Sequence, residues 1–158
     1  MKLLDPLQYQ IPAREAFLAT REEVNTALPN ARVEHVGSSS IPGSISKGDI
    51  DICVVINFSE LEEAVSMLEE MGYVVKLDTL RTPELCMLQS PRQDIDLALQ
   101  VIAKGSEFEF FMTFRDAMLK DPSLVEQYNQ VKLDHWNLSP ALYREAKSKF
   151  IAAVLRVA

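Results

Sequence analysis

The sequence predicts an α/β (α+β) fold: a small mixed β-sheet flanked by helices, with a C-terminal helical extension. Three observations predict it. Residues 50–56, IDICVVI, are a β-branched apolar run of the kind found in central strands covered on both faces. Residues 58–71 place Leu61, Ala64, Val65, Leu68 and Met71 at the three–four spacing of one helix face. From Ser106 onward the pattern is helical to the end. The 158 residues suit one domain, 1–158, with an α/β core over 1–104 and the helical extension over 105–158.

In chain order, residues 12–28 read as the first helix. Pro12 suits a first helical position, and Phe17, Val24 and Leu28 share a face. Leu28-Pro29-Asn30 stops it. Residues 31–36, ARVEHV, alternate as a strand does, and 50–56 follow as the central one. Gly72 ends the amphipathic helix over 58–71. Residues 73–76, 84–89 and 93–102 read as three further strands, with Ser90-Pro91-Arg92 as a hairpin turn between the last two. Asp121-Pro122-Ser123 and Asn137-Leu138-Ser139-Pro140 divide the rest into three helices. Their apolar faces begin with Phe108, Phe111, Met112 and Met118, continue with Leu124, Tyr128 and Val131, and end with Phe150, Ala153, Val154 and Val157.

Composition narrows the function classes. With 47% hydrophobic and 25% charged residues, disorder over the whole length is excluded. No apolar run approaches the roughly 20 residues that span a bilayer. The opening MKLLDPLQYQIP lacks a long apolar stretch, so a cytoplasmic location and no membrane partner are expected. A net charge of −7 disfavours long nucleic acid as a partner, because backbone binding needs clustered Lys and Arg. A local basic patch still suits a small phosphorylated ligand. Cys53 and Cys86 each sit inside an apolar segment and read as buried thiols in a reducing compartment. Neither lies at zinc-type spacing from His35, His135 or the other cysteine.

The chemistry concentrates in residues 34–52, EHVGSSSIPGSISKGDIDI. Gly37-Ser38-Ser39-Ser40 follows a strand, where glycine allows close backbone approach and N–H groups and hydroxyls can cradle an anion. By itself such a loop is equally an ordinary turn. Asp49-Ile50-Asp51 puts two carboxylates on one strand face, roughly 6–7 Å apart at their Cα atoms. They repel unless neutralised, and Mg²⁺ prefers such oxygen ligands together with phosphates. An isolated pair of this kind is otherwise a solvated strand end. A second alternation, Asp94-Ile95-Asp96, precedes the apolar LALQV. Three carboxylates from two neighbouring strands beside an anion cradle form a layout for nucleotidyl transfer under two-metal control.

The chain resembles the nucleotidyltransferase superfamily of the polymerase-β type and, more narrowly, the GrpB family. The carrying residues are Glu34-His35-Val36-Gly37-Ser38-Ser39-Ser40-Ile41-Pro42-Gly43, then Lys47 and Asp51, Phe114-Arg115-Asp116, Tyr128 with Lys132, and Tyr143 with Lys147-Ser148-Lys149-Phe150-Ile151. The resemblance implies a compact nucleotidyltransferase fold, with 1–104 as its catalytic core, and a nucleoside triphosphate as substrate. Many relatives carry His-x-His on the later strand, where this chain has Ala98 and Gln100.

On this reading Asp49 and Asp51 bind Mg²⁺ or Mn²⁺. Asp96 completes the set as third ligand or base, with Asp94, on the same strand face, as the alternative. Ser38 and Ser39, with their amides, hold the β and γ phosphates, and Ser40 lies with them or caps the turn. Lys47 shares the face of Asp49 and neutralises phosphate, or is a solvated loop charge. His35 orients the loop, touches the ligand or packs structurally. Arg115, Lys132 and Lys147, with Tyr143 on the face of Lys147, form a basic wall opposite the acids, or are surface charges. The expected function is metal-dependent transfer of a nucleotidyl group to a hydroxyl or similar acceptor on a small molecule or protein. The rivals are a catalytically silent nucleotide-binding or regulatory module and an interaction partner with no ligand.

Overall fold

A computed structural model describes residues 2–158. Its five strands are β1 (Arg32–Val36), β2 (Ile50–Ile56), β3 (Val74–Val75), β4 (Leu85–Gln89) and β5 (Leu97–Ala103), in the spatial order β1-β2-β5-β4-β3. β2 and β5 are parallel and every other pair is antiparallel, so the sheet is mixed. The two central strands are the two longest apolar runs. All seven residues of β5 are buried, as are six of seven in β2, Asp51 being the exception.

Side-chain alternation divides β2 between two layers. Ile50, Ile52, Val54 and Ile56 face α1 (Pro6–Ala27) and α2 (Leu61–Glu70), where Tyr9, Phe17, Val24, Leu61 and Leu68 complete the larger core. Cys53 and Val55 face the opposite side with Val36, Leu85 and Ile102, against Phe108 and Met112. Asp51 shares that second face. Both cysteines are buried free thiols.

Beyond the sheet run α3 (Phe110–Lys120), α4 (Pro122–His135) and α5 (Pro140–Val157), separated at the two expected breaks. Asp121 and Ser139 cap α4 and α5 with their side-chain oxygens, each followed by proline at the first helical position. These three helices share a core of Phe114, Met118, Val125, Tyr128 and Val154 that also encloses Ile41.

Two element boundaries differ most from expectation, the others moving by three residues or fewer. α1 begins at Pro6, not Pro12. Asp5 accepts from Leu7 N while the Gln8 side chain accepts from Asp5 N, and this reciprocal cap with Pro6 starts the helix a turn and a half earlier. Pro12 is therefore inside the helix, where it removes one backbone donor; burial of Tyr9, Ala13, Ala16 and Phe17 around it offsets that cost. β5 begins at Leu97, not residue 93, because residues 91–96 form the turn region after β4.

Candidate functional site

The turn after β1 is built by its own serines. Gly37 has φ +72°, and a Cβ placed on it would lie 2.7 Å from Asp51 Oδ2, so both conformation and space demand glycine. A 3-10 turn follows at Ser38–Ser40. Ser40 Oγ donates to Gly37 O at 2.6 Å. Ser39 Oγ meets His35 Nε2 at 2.8 Å, and the His35 ring stacks on Phe17 at 4.9 Å. Burial, then the charges of Arg115 and Arg14, lower the His35 pKa to about 4. His35, Ser39 and Ser40 therefore build the turn and do not line the cavity beside it. Of the three serines, Ser38 does.

α4 clamps this turn from below. Lys132 is 1% exposed, and its Nζ donates to Ser38 Oγ (2.7 Å), Ser44 Oγ (3.0 Å) and Ile45 O (2.6 Å). The ammonium also lies 4.2 Å from the centre of the Tyr128 ring. All three of its protons are engaged. Burial, then the charge of Lys147, push its pKa down to about 7. One turn earlier, Asn129 accepts from Ile45 N at 2.9 Å and donates to Gly43 O at 2.8 Å. Lys132, expected on a basic wall facing the ligand, is thus a strut holding residues 38 and 43–45.

The turn opens onto a cavity of about 500 Å³, within the range of small-molecule sites. Gly37, Ser38, Lys47, Asp49, Asp51, Lys132, Tyr143 and Lys147, all expected site residues, line it. Asp49 immediately precedes β2 and Asp51 is its second residue. Burial, then the charge of Asp49, raise the Asp51 pKa to about 6, while Gln100 Nε2 donates to Asp51 Oδ1 at 3.1 Å and works the other way. Asp49 touches Ser46 Oγ at 3.4 Å and the half-exposed Lys47 ammonium at 3.9 Å. Among the described residues neither acid has a guanidinium or ammonium in close hydrogen-bonded contact. Lys147 lies 4.9 Å over the Tyr143 ring and makes no side-chain hydrogen bond or ion pair among the described residues. Burial lowers its pKa, opposed first by Asp49.

Two other expected residues lie outside the cavity. The Arg115 guanidinium donates to His35 O at 2.9 Å and pairs with Asp116 (3.0 Å) and Glu34 (3.5 Å), bracing α3 against the sheet edge instead of facing the acids. Asp96, expected to complete the carboxylate set, precedes β5. Its backbone oxygen accepts from Ile50 N, but its side chain is exposed and accepts from Gln89 Nε2 at 3.1 Å. The alternative, Asp94, is ion-paired to Arg92 at 2.6 Å. The cause is the late start of β5: register places Ala98 beside Asp51 and Gln100 beside Cys53, so the strand face next to Asp51 carries no acid.

The GrpB protein family model matches residues 7–156. The chain belongs to the GrpB family. A UPF0157 protein of Vibrio cholerae is 48% identical over 148 residues, covering 94% of this chain and 78% of that one. A second, from Halalkalibacterium halodurans, is 31% identical over 157 residues, 95% and 80% of the two chains. Among solved structures, the conserved protein GrpB from Enterococcus faecalis aligns over 98% of this chain and 99% of its own, with TM-score 0.69 and 17% identity. The Cid1 RNA terminal uridylyl transferase aligns over 78% of this chain and 39% of its own, with TM-score 0.56 and 13% identity. At these identities the two structures show a shared nucleotidyltransferase-like fold, and the chain spans about two fifths of Cid1.

In this GrpB-family chain the donor chemistry suits one hard divalent cation. Asp49 and Asp51 offer carboxylate oxygens, and the upward shift of Asp51, caused first by burial and then by the Asp49 charge, marks a site where a bound cation would stabilise the ionised form. It does not provide a three-acid set. Among the described residues no group of three or more His, Cys, Asp or Glu side chains is placed to hold a metal. Gln100, 4% exposed and with no partner for Oε1 among the described residues, flanks Asp51 at one of the two positions where relatives carry His-x-His, while the expected third acid, Asp96, lies outside the cavity. Gln100 was legible in principle as the one polar residue of LALQVIA. The aromatic lining from Phe110, Phe111 and Phe114 was not, because helical periodicity reads the same for a cavity wall as for a core.

Proposed function

We propose that this GrpB-family chain binds a nucleoside triphosphate with Mg²⁺ or Mn²⁺ in the cavity and transfers its nucleotidyl group to a hydroxyl acceptor. One observation carries the reading: the Asp49–Asp51 pair, the turn at Gly37 and Ser38 and the Lys147 ammonium line a single cavity. Asp49 and Asp51 hold the ion, which when bound polarises a phosphoryl oxygen and offsets its charge. The Ser38 hydroxyl and the adjoining turn hold phosphate oxygens. Lys147 pairs with the triphosphate, Lys47 adds charge at the rim, and Tyr143 keeps Lys147 in place through its ring. Lys132 acts on the ligand through Ser38. The fold likeness supports this choice, since Cid1 has been solved with MgGTP bound and with a UTP analogue. The cavity draws on both 1–104 and 105–158, so on this reading the two parts work as one unit.

In the transfer, the acceptor oxygen bonds to the α-phosphorus, the bond to the bridging oxygen breaks and pyrophosphate leaves. The hydroxyl proton needs an acceptor, and Asp96, the expected base, lies outside the cavity on Gln89, while the Gln100 amide beside Asp51 is no base. That observation favours a second reading, a nucleotide-binding or regulatory module without turnover. Calorimetric titration with the four triphosphates, with and without Mg²⁺, followed by a pyrophosphate assay over candidate acceptors, separates them. Metal-dependent binding with pyrophosphate release supports transfer. Binding without release supports the module, and no binding removes both.

A further inference from the structure

The cavity has two unlike ends. Its polar end is made by Ser38, Asp49, Asp51 and Lys147. Its other end is walled by Phe110, Phe111 and Phe114 from α3 and Ile151, Ala152 and Leu155 from α5. The ends are strung along one helix: α5 rises about 12 Å between Lys147 and Leu155, the scale of a nucleoside and not of a lone phosphate. None of the six side chains at the apolar end carries a hydrogen-bonding group. Phe110 is 37% exposed, and its ring lies tilted 4.3 Å from that of Phe111, so water reaches the mouth of this end.

A nucleobase has two π-faces and a polar rim. Against aromatic and aliphatic walls the faces gain contact, while an open mouth leaves the rim hydrated. Strong discrimination between bases requires a buried polar group that the wrong base leaves unpaired. Stacking alone tolerates any base, because each has a π-face. Resting on the reading that the polar end takes the triphosphate, we infer that the apolar end receives the nucleobase by stacking without reading its hydrogen-bonding edge, so that the four ribonucleoside triphosphates are accepted alike. Purines bind somewhat more tightly than pyrimidines through their larger faces.

The test is calorimetry on the full chain with Mg²⁺, using non-hydrolysable α,β-methylene analogues of ATP, GTP, CTP and UTP beside inorganic tripolyphosphate. The expected result is four Kd values within about tenfold of one another, each at least about fivefold tighter than tripolyphosphate. Phe110→Ala, at a partly exposed position where folding is preserved, weakens all four analogues about fivefold or more and leaves tripolyphosphate unchanged. A preference above about 30-fold for one base overturns the inference. So does equal affinity for tripolyphosphate and the nucleotides, or indifference of nucleotide binding to both Phe110→Ala and Phe111→Ala; the apolar end then serves an acceptor. If tripolyphosphate itself fails to bind, the phosphate reading falls with this one, whereas its binding without any gain from the base sinks only the stacking inference.

Discussion

Asp51 and His35 carry opposite pH signatures, and each has its own test. Folded Asp51 holds its proton more firmly than the unfolded chain does, so its ionisation costs stability as pH rises from about 4 to about 6. Without metal, Asp51→Asn is therefore expected to be more stable than the parent at pH 8 by roughly 1–2 kcal/mol, with the gap closing toward pH 4. The same variant is expected to lose every Mg²⁺-dependent shift in Tm. Urea midpoints at the two pH values and melts with and without Mg²⁺ measure both effects, and a retained Mg²⁺ shift removes Asp51 from the site. His35 behaves in the other direction. Its folded pKa of about 4 lies below the ordinary value, so the unfolded state binds the extra proton and stability falls as pH drops from about 6.5 to 4. Over that window the parent is expected to lose about 2 kcal/mol more than His35→Gln in urea denaturation. Parallel losses would show that the Phe17-stacked ring does not report on acid lability.

At the level of elements, α4 matters through one side chain. Lys132→Met keeps the length of the stem but strands Ser38 Oγ, Ser44 Oγ and Ile45 O, of which Ser44 is fully buried and the other two are partly so. A loss of roughly 2–4 kcal/mol is expected in denaturant unfolding, with weaker Mg²⁺–triphosphate binding because Ser38 loses its anchor. Unchanged stability would contradict the strut. Much of this was legible beforehand. Asp121-Pro122-Ser123 and Asn137-Leu138-Ser139-Pro140 marked the breaks before α4 and α5, the apolar runs marked β2 and β5, and the Gly37 turn stood out as a candidate anion cradle. What local pattern could not provide was competition between signals. Pro12 looked like a helix start until the stronger cap at Asp5 is considered, and the Asp94-Ile95-Asp96 alternation looked like strand although Arg92 and Gln89 draw those carboxylates into a solvent-facing turn. Lys132 and Arg115 were recognisable as charges near the site. Their partners, 94 and 80 positions away along the chain, decide that one is a strut and the other a brace.

For the whole molecule, the cavity joins the sheet to the helices that follow it. α5 contributes Tyr143 and Lys147 but buries few residues of its own, so its stability in the free protein is modest and gains most from a ligand. Hydrogen exchange is expected to slow most strongly along α5 when Mg²⁺ and a triphosphate analogue are added, while β2 and β5 change little. At 100 times Kd a ligand adds about 2.7 kcal/mol to global stability, enough to read as a Tm rise. Protection confined to the sheet would place the ligand elsewhere.

The parallel neighbour of β2 arrives late. While the chain is being synthesised, Ile50–Ile56 leaves the ribosome with β1 on one side and nothing on the other until Leu97–Ala103 follows. A bare edge on so apolar a strand is a template for other nascent chains. Asp51 is the single charge in that strand and stands as its gatekeeper. Chains ended before Leu97 are therefore expected to aggregate faster with Asp51→Asn than with the parent sequence, as light scattering would measure. The acid proposed to hold a ligand in the finished protein would then protect the unfinished one from its siblings.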